Sequence, residues 1–428
     1  MAMVVKNNMS AISTLNTLNK NSSALSKSLQ KVSSGMKINS AADDASGYAI
    51  SERMRVQIRG LDQSNQNTQN GTSMMKVAEG AVSSTVDILK TLKEKVINAA
   101  NDTNTDADRA TIQKELDQSI DQINDNANVT YNGKYLVDGS KSAATKGTCT
   151  ALTNESLHSN TKFSMAFSAL SDRNGNSLNI NSLDTVTMSW VKEGVTCTAS
   201  VRASQAMSDL IKNADFGTTT EGSFIGKDLA GDTVATADGG AALTLVAAGS
   251  GVSSQISGVT FSVTNTKGQV QKSANAVLDN FSESIRAQNT SADNQISLQV
   301  GTKANQSIKV GLTDMRAEAL GLQSSSGQTI QIGTQGQANA AINVLDNAVQ
   351  KALDQQTTIG AVQSRLSYTS SNLTTASENV QSSESTIRDA DMAKEMTEYT
   401  KNNVLLQAAQ SMLAQANQSS SSVLSLLQ

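Results

Sequence analysis

Ile359, Leu366, Leu373, Val380 and Ile387 recur every seven residues, with Val362, Thr369, Ala376 and Ser383 between them. A straight α-helix drifts about 20° per heptad from such a seam, so a strict repeat calls for a long helix supercoiled left-handedly around partners. Thr, Ala and Ser in the second seam position let helices approach closely but bury little area. This stretch is therefore read as a long helix packed along its length.

Both flanks carry the same kind of signal. Ile12, Leu15, Leu18, Leu25, Leu29 and Val32 fall at spacings of three, four or seven and predict one apolar stripe on a first helix. After the turn-prone Ser33-Ser34-Gly35 and Asn39-Ser40, a second helical run carries Val82, Val86, Leu89, Leu92 and Val96, and a third carries Ile112, Leu116, Ile120, Ile123 and Ala127. Asn101 to Asp106, rich in capping residues, predicts that these two runs fold back as a hairpin. Near the other end, Met392, Met396, Tyr399, Leu406, Leu413 and Ala416 share one side of a helix, with Leu405, Ala409 and Met412 beside them. That face exceeds the roughly 100° stripe of an ordinary surface helix and needs several neighbours. The ends are thus expected to order fully only in an assembly.

Between about Ser140 and Asn294 the pattern shortens to strand-like runs: Leu178-Asn179-Ile180, Thr185 to Val191 and Val195 to Val201. Helical runs are expected near Ser204 to Ala214 and Ala274 to Ala287, with turns at Gly239-Gly240 and Gly249 to Gly251. The expected unit is an independent α+β domain. Beyond it, Ile296 to Val300 and Ser307 to Val310 alternate across a loop and predict a β-hairpin. The fold class is mainly α: long antiparallel helices in coiled-coil-like terminal domains, a β-hairpin and an inserted α+β domain.

Composition removes several functions. Aromatic residues are 3% of the chain, His158 is the only histidine, Trp190 the only tryptophan, and there is no proline. These supply little for an aromatic-lined pocket or a catalytic or metal constellation, so no enzyme activity, cofactor or metal is expected. A net charge of -4 gives no basic field for nucleic acid. No stretch approaches the ~20 apolar residues of a membrane span, and Met1 to Asn8 lacks the layout of a secretory signal. The expected location is then cytosolic unless export uses no cleaved signal. Cys149 and Cys197 lie in Thr-rich runs and are either two small strand residues or one disulfide.

The segment from Ser33 to Ile50, SSGMKINSAADDASGYAI, closely resembles the N-terminal signature of bacterial flagellins. The resemblance continues through Arg59-Gly60-Leu61, Asn70-Gly71 and Glu79-Gly80-Ala81. It resumes at Gly360 to Leu366, Ile387 to Ala393, Ala414 to Gln418 and Val423 to Leu427. It covers about the first 140 and last 120 residues. It implies an inner, filament-core domain of residues 1–44 and 389–428, a rod-like domain of 45–140 and 295–388 with the β-hairpin, and a solvent-facing variable domain of 141–294. The implied function is the structural subunit of the flagellar filament, with a hook-filament junction protein or a shed adhesin or immune ligand as alternatives. The implied partners are other copies of the chain, an export chaperone and the type III export apparatus, the filament cap and the junction proteins. Export by that route would place the chain outside the cell.

On this reading Ile12, Leu15, Leu18, Leu25, Leu29, Val32, Met396, Tyr399, Leu406, Leu413 and Leu427 pack subunits, and Ile359, Leu366, Leu373, Val380 and Ile387 form the rod seam. Resemblance to flagellins that activate the vertebrate Toll-like flagellin receptor points to Leu89, Lys90, Thr91, Lys93, Glu94 and Glu115 as contacts. Glu115 matches, whereas Thr91 stands where those flagellins have Arg. A guanidinium's fixed fork of donors is not replaced by Thr, so weakened activation is expected. Asp43, Asp44, Arg53, Arg55 and Arg59 form a charge cluster that either locks subunits together or is a salt-screened surface.

Overall fold

The computed structural model describes residues 8–212 and 242–426, with side chains to residue 419. The helices are α1 (Met9–Ser34), α2 (Ala45–Ala99), α3 (Asp106–Ala127), α4 (Met207–Lys212), α5 (Lys272–Leu278), α6 (Ala317–Leu320), α7 (Gln335–Arg388) and α8 (Met392–Leu426). The first five strands are β1 (Thr130–Tyr131), β2 (Lys134–Tyr135), β3 (Ala151–Asn154), β4 (Thr185–Lys192) and β5 (Val195–Arg202). The rest are β6 (Leu243–Val246), β7 (Ile256–Thr264), β8 (Phe281–Ile285), β9 (Ile296–Gln299) and β10 (Ser307–Val310). Two compact units result, one of residues 1–68, 299–306 and 368–428, the other of 69–298 and 307–367.

In the first unit, local chemistry sets the helix limits. Asn8 caps α1 by accepting the Ala11 N–H at 3.0 Å, and Gly35, at φ 71°, ends it with its N–H on the Lys31 carbonyl. Only a residue without a side chain takes that left-handed position at no steric cost. Asp44 then caps α2, accepting the N–H groups of Ser46 and Gly47 at 3.0 Å each. Asp43 accepts from Asn39 and Ser40, and these backbone donors hold its carboxyl below the usual range. Both acids of the charge cluster are therefore engaged in local turns. Arg55 from the same cluster reaches Glu384 at 2.9 Å.

Helix α2 is continuous from Ala45, whereas apolar periodicity marks only its second half. Its first half buries Ser51, Ser64 and Thr68, and each hydroxyl bonds a carbonyl of its own helix, Ser64 to Gly60 at 2.8 Å and Thr68 to Ser64 at 2.8 Å. Small self-satisfied residues leave no apolar stripe to read. Instead they admit close neighbours: a Cβ on Gly60 would lie 2.9 Å from Thr302 Cγ2.

In the second unit the α2–α3 hairpin forms at the expected turn. Thr105 and Asp108 make a reciprocal capping box, at 2.9 and 3.3 Å, and buried Arg109 ties the turn by donating to the Ala99 and Asn101 carbonyls. Val82, Val86, Leu89, Leu92, Val96, Leu116, Ile120, Ile123, Val344, Leu345, Ala348, Ile359 and Leu366 are all buried where α2 lies beside α3 and α7, as the Lys95–Glu115 and Lys93–Asp346 pairs mark. The β9–β10 hairpin is present, and a Cβ on Gly71 of α2 would strike Leu298 Cδ1 at 2.6 Å.

The inserted part holds two three-stranded antiparallel sheets, ordered β5-β4-β7 and β6-β3-β8, around Phe167, Trp190, Phe261 and their aliphatic neighbours. Glu193 and Gly194, at φ 50° and 75°, make the two-residue turn joining β4 to β5. Two sequence expectations fail here. Leu178-Asn179-Ile180 is not a strand, because Asn179 adopts φ 53° and breaks the extension although Leu178 and Ile180 are buried. The run from Ala274 to Ala287 is helical only to Leu278, after which Phe281 to Ile285 pairs with β3 as strand β8. The expected helix near Ser204 is α4, the Gly249 to Gly251 bend is present, and Gly239-Gly240 lies outside the described residues.

Strand β7 is sealed along its second edge by amide and carboxylate side chains. From α7, Asn343 and Asn347 donate to the carbonyls of Val259 and Ser257 at 3.0 and 2.8 Å. From α5, Asn275 accepts the Val263 N–H at 2.8 Å and Asp279 accepts that of Phe261. Each pair is four residues apart on its helix, which matches alternate groups on the strand. Nearby, Lys351 of α7 and Glu283 of β8 form a buried ion pair at 3.2 Å.

Burial raises the Asp279 carboxyl from 3.8 to about 6, against the opposing pull of the Phe261 N–H. The folded state thus binds this proton more tightly than the unfolded state, so stability falls as pH rises from about 4 to about 6 and stays low above. Asp279→Asn is expected to remove that slope and to stabilise the insert at neutral pH by roughly 2–3 kcal/mol. Urea unfolding followed by Trp190 fluorescence as a function of pH measures both.

Candidate assembly surface

The terminal helices α1 and α8 pack antiparallel. On α1 the residues turned inward are Ala11, Thr14, Leu18, Asn21, Leu25, Ser28 and Val32, and on α8 they are Glu395, Tyr399, Asn402, Leu406, Ala409, Leu413 and Ala416. Each set alternates steps of three and four, the spacing of a coiled-coil seam. Polar contacts cross it: Asn8 Nδ2 to the Ala416 carbonyl at 3.2 Å, Asn21 Nδ2 to the Leu405 carbonyl at 3.2 Å, and Asn402 Nδ2 to Ser28 Oγ at 2.9 Å. Lys31 pairs with Glu395 at 3.5 Å.

This packing divides the stripe read from the sequence. Leu18, Leu25 and Val32 are partly buried in the seam, whereas Ile12, Leu15 and Leu29 are 47, 45 and 52% exposed. On α8, Tyr399, Leu406 and Leu413 lie in the seam, and Met392, Met396, Val404, Leu405 and Met412 face outward. Leu427 lies outside the described residues. An apolar-only reading merges the two faces because three of the seven seam residues on α1 are the polar Thr14, Asn21 and Ser28. A two-helix pair buries one face of each helix, so the remaining apolar side chains have no cover within this unit.

The rod seam is buried at Ile359 and Leu366, 9% exposed at Leu373, and only partly buried at Val380 and Ile387. The link after α1 meets the link before α8 in a short antiparallel clasp: Met36 pairs with Asp389, Lys37 N–H donates to the Arg388 carbonyl at 2.7 Å, and Ala390 N–H to the Gly35 carbonyl at 3.0 Å. Nothing local in either segment announces this contact.

On the second unit, Leu89 is fully buried in the helical core and offers nothing to a receptor, which corrects its place among the expected contacts. Thr91 Oγ1 donates to the Asp87 carbonyl of its own helix at 3.0 Å. Lys90 pairs with Asp87, Lys93 with Asp346, and Lys95 with Glu115, while Glu94 is exposed. Cys149 and Cys197 are separate thiols with no disulfide between them, and burial pushes the Cys149 thiol up. Among the described residues no three acidic, His or Cys side chains gather as a metal site, and no helix is long and apolar enough to cross a membrane.

Two family models match the chain at its two helical regions. The bacterial flagellin N-terminal helical region matches residues 5–142 and the bacterial flagellin C-terminal helical region matches 342–427. The chain belongs to the bacterial flagellins. It is 34% identical to a flagellin of Clostridium tyrobutyricum, over 97% of this chain and 99% of that one. It is 30% identical to a flagellin of Bacillus subtilis, over 99 and 100% of the two chains. As a flagellin it is a secreted, non-enzymatic structural subunit of the flagellar filament.

Two classes of substitution separate folding from assembly in this flagellin. Leu15→Gln with Leu29→Gln changes exposed positions, so the thermal melt of the isolated subunit is expected to be unchanged while elongation of filament seeds stops. Leu366→Ala empties a fully buried site and is expected to cost the subunit about 2–5 kcal/mol. Calorimetry and seeded light scattering read the two effects.

Proposed function

We propose that neighbouring copies cover the outward faces of the α1–α8 pair, so that residues 1–44 and 389–428 form the inner wall of a hollow helical polymer. The observation that carries this reading is the exposure of Met9, Ile12, Leu15 and Leu29 on one helix and Met392, Met396, Val404, Leu405 and Met412 on the other. Fully burying one such side chain is worth about 1.5–3 kcal/mol, so a few of them per subunit offset the entropy of ordering and association. In this scheme residues 45–140 and 295–388 form the surrounding rod layer and 141–294 the solvent-facing domain. Val380 and Ile387, partly buried in the single chain, would gain cover in the rod layer.

The same ends would be bound by an export chaperone before passage through the type III apparatus, since apolar faces left bare in the cell invite premature association. The filament cap and the hook-filament junction proteins would meet the terminal pair at the two ends of the polymer. The shed adhesin or immune ligand is the weaker alternative, because it gives the outward faces of α1 and α8 no task. Engagement of the Toll-like flagellin receptor would be weak. Thr91 supplies no guanidinium, and the neighbouring cation Lys93 is already paired with Asp346.

Removal of residues 1–40 and 389–428 is expected to abolish seeded elongation while leaving the Trp190-reported melt of the insert within a few degrees of the full chain. Full elongation by the truncated chain would refute the assembly reading. Thr91→Arg is expected to raise receptor activation at least tenfold in a reporter-cell assay.

A further inference from the structure

The apolar seam between α1 and α8 does not by itself specify how the two helices line up. Leu18, Leu25 and Val32 repeat every seven residues, and so do Tyr399, Leu406 and Leu413. A slip of one heptad, ~10 Å along the axis, sets the same apolar residues against each other again. The polar crossings from Asn21, Ser28 and Lys31 would be lost in a slipped pair. Each involves a part-exposed group, and such contacts favour one alignment by no more than about fivefold apiece. A stronger constraint lies at the clasp.

Arg388 closes α7 and is 5% exposed. Its Nη1 donates to Glu52 Oε1 at 2.6 Å and to Ser51 Oγ at 3.4 Å, and its guanidinium carbon sits 5.3 Å from the centre of the Tyr48 ring. Glu52 also faces Arg55, which in turn holds Glu384 one turn back on α7. The side chain of Arg388 therefore grips the opening turns of α2, while its carbonyl receives the Lys37 N–H from the link after α1. One residue thus ties the end of α7 to both segments that follow α1. A slip of α8 against α1 would have to tear out that carbonyl bond, because the grip of the guanidinium on α2 holds the end of α7 in place.

We propose that Arg388 is the positioning residue that fixes the register of the terminal helix pair, and so determines which composite apolar face a neighbouring subunit meets. Leu15 and Leu29 on α1 and Leu405 and Met412 on α8 are all exposed, and a slip of one heptad would shift the first two against the second two, so another register presents a different surface. Arg388 takes no part in the outward faces, and its effect on assembly passes through the helices it aligns. The proposal rests on the reading of those faces as subunit contacts.

Disulfide trapping tests it in a Cys149→Ala, Cys197→Ala background. Ser28 and Asn402 are in hydrogen-bond contact, so the S28C/N402C pair reports the native register; S28C/A409C and S28C/E395C report a slip of one heptad either way. Each pair is combined with Arg388, Arg388→Lys or Arg388→Gln, and oxidised both in the soluble chain and when incorporated as a minor fraction into filaments of the parent chain. With Arg388 in place, only the native pair is expected to link. With either substitution, linking of a slipped pair is expected to rise at least tenfold and incorporation to fall at least tenfold. The proposal is overturned if the Arg388 variants link only the native pair, whether they incorporate normally or not. It is equally overturned if slipped pairs link as readily with Arg388 present. Failure of the parent chain itself to extend seeds would instead count against the assembly reading, leaving the register result from the soluble chain to stand on its own.

Discussion

Two helices lying side by side can each bury only one face against the other, and the organisation of this flagellin depends on that limit. Where α2, α3 and α7 come together, Leu89, Leu116, Ile120 and Leu366 are fully covered. Where only α1 and α8 meet, one seam is closed and the remaining apolar side chains stay in solvent. The difference is one of neighbour number, not of residue type, since both regions draw on Leu, Ile, Val, Met and Ala. A subunit built this way covers the core of its middle by itself and leaves apolar side chains of its paired ends in solvent.

The polar character of the sequence does structural work that apolar residues do in most proteins. Ser64, Thr68 and Thr85 satisfy their hydroxyls on their own helix and present a thin flank that neighbours can approach. Gln113 of α3 reads the segment after β10 as a strand would, donating to the Ile330 carbonyl and accepting the Ile332 N–H. Asn275, Asp279, Asn343 and Asn347 seal the outer edge of β7 in the same manner. An unsealed edge would be a template for pairing with other chains, a hazard for a protein concentrated into a polymer. Buried backbone groups need partners, and here side-chain amides provide many of them.

Much of this architecture was legible in the residues. The heptads of α7, the turn between α2 and α3, the hairpin β9–β10 and the strands β4 and β5 all follow from spacing and turn chemistry. The first half of α2 was not, because its buried face is mostly Ser, Thr and Gly, with Leu61 the one buried leucine there. The helix expected across Ala274 to Ala287 stopped at Leu278 because the following residues found a pairing partner in β3, some 130 positions earlier, as the contact of Ser282 with Thr153 illustrates. Asn179 turned an apparent strand into a bend through one left-handed residue. In each case a distant neighbour or a single dihedral outweighed local preference.

The sequence alone determined the heptads of α7, the turn between α2 and α3, the β9–β10 hairpin, the strands β4 and β5, and that both ends are more apolar than one partner can cover. Those properties depend on spacings of two to seven positions, which the covalent chain enforces directly. Tertiary structure decided which members of each apolar stripe stay exposed, how α1 aligns with α8, and that Leu89 is core while Thr91 is surface. Such outcomes hang on contacts like that between Arg388 and Glu52, separated by 336 positions along the chain. No local periodicity encodes a meeting of that kind; it exists only once the two long helices have been brought back beside each other.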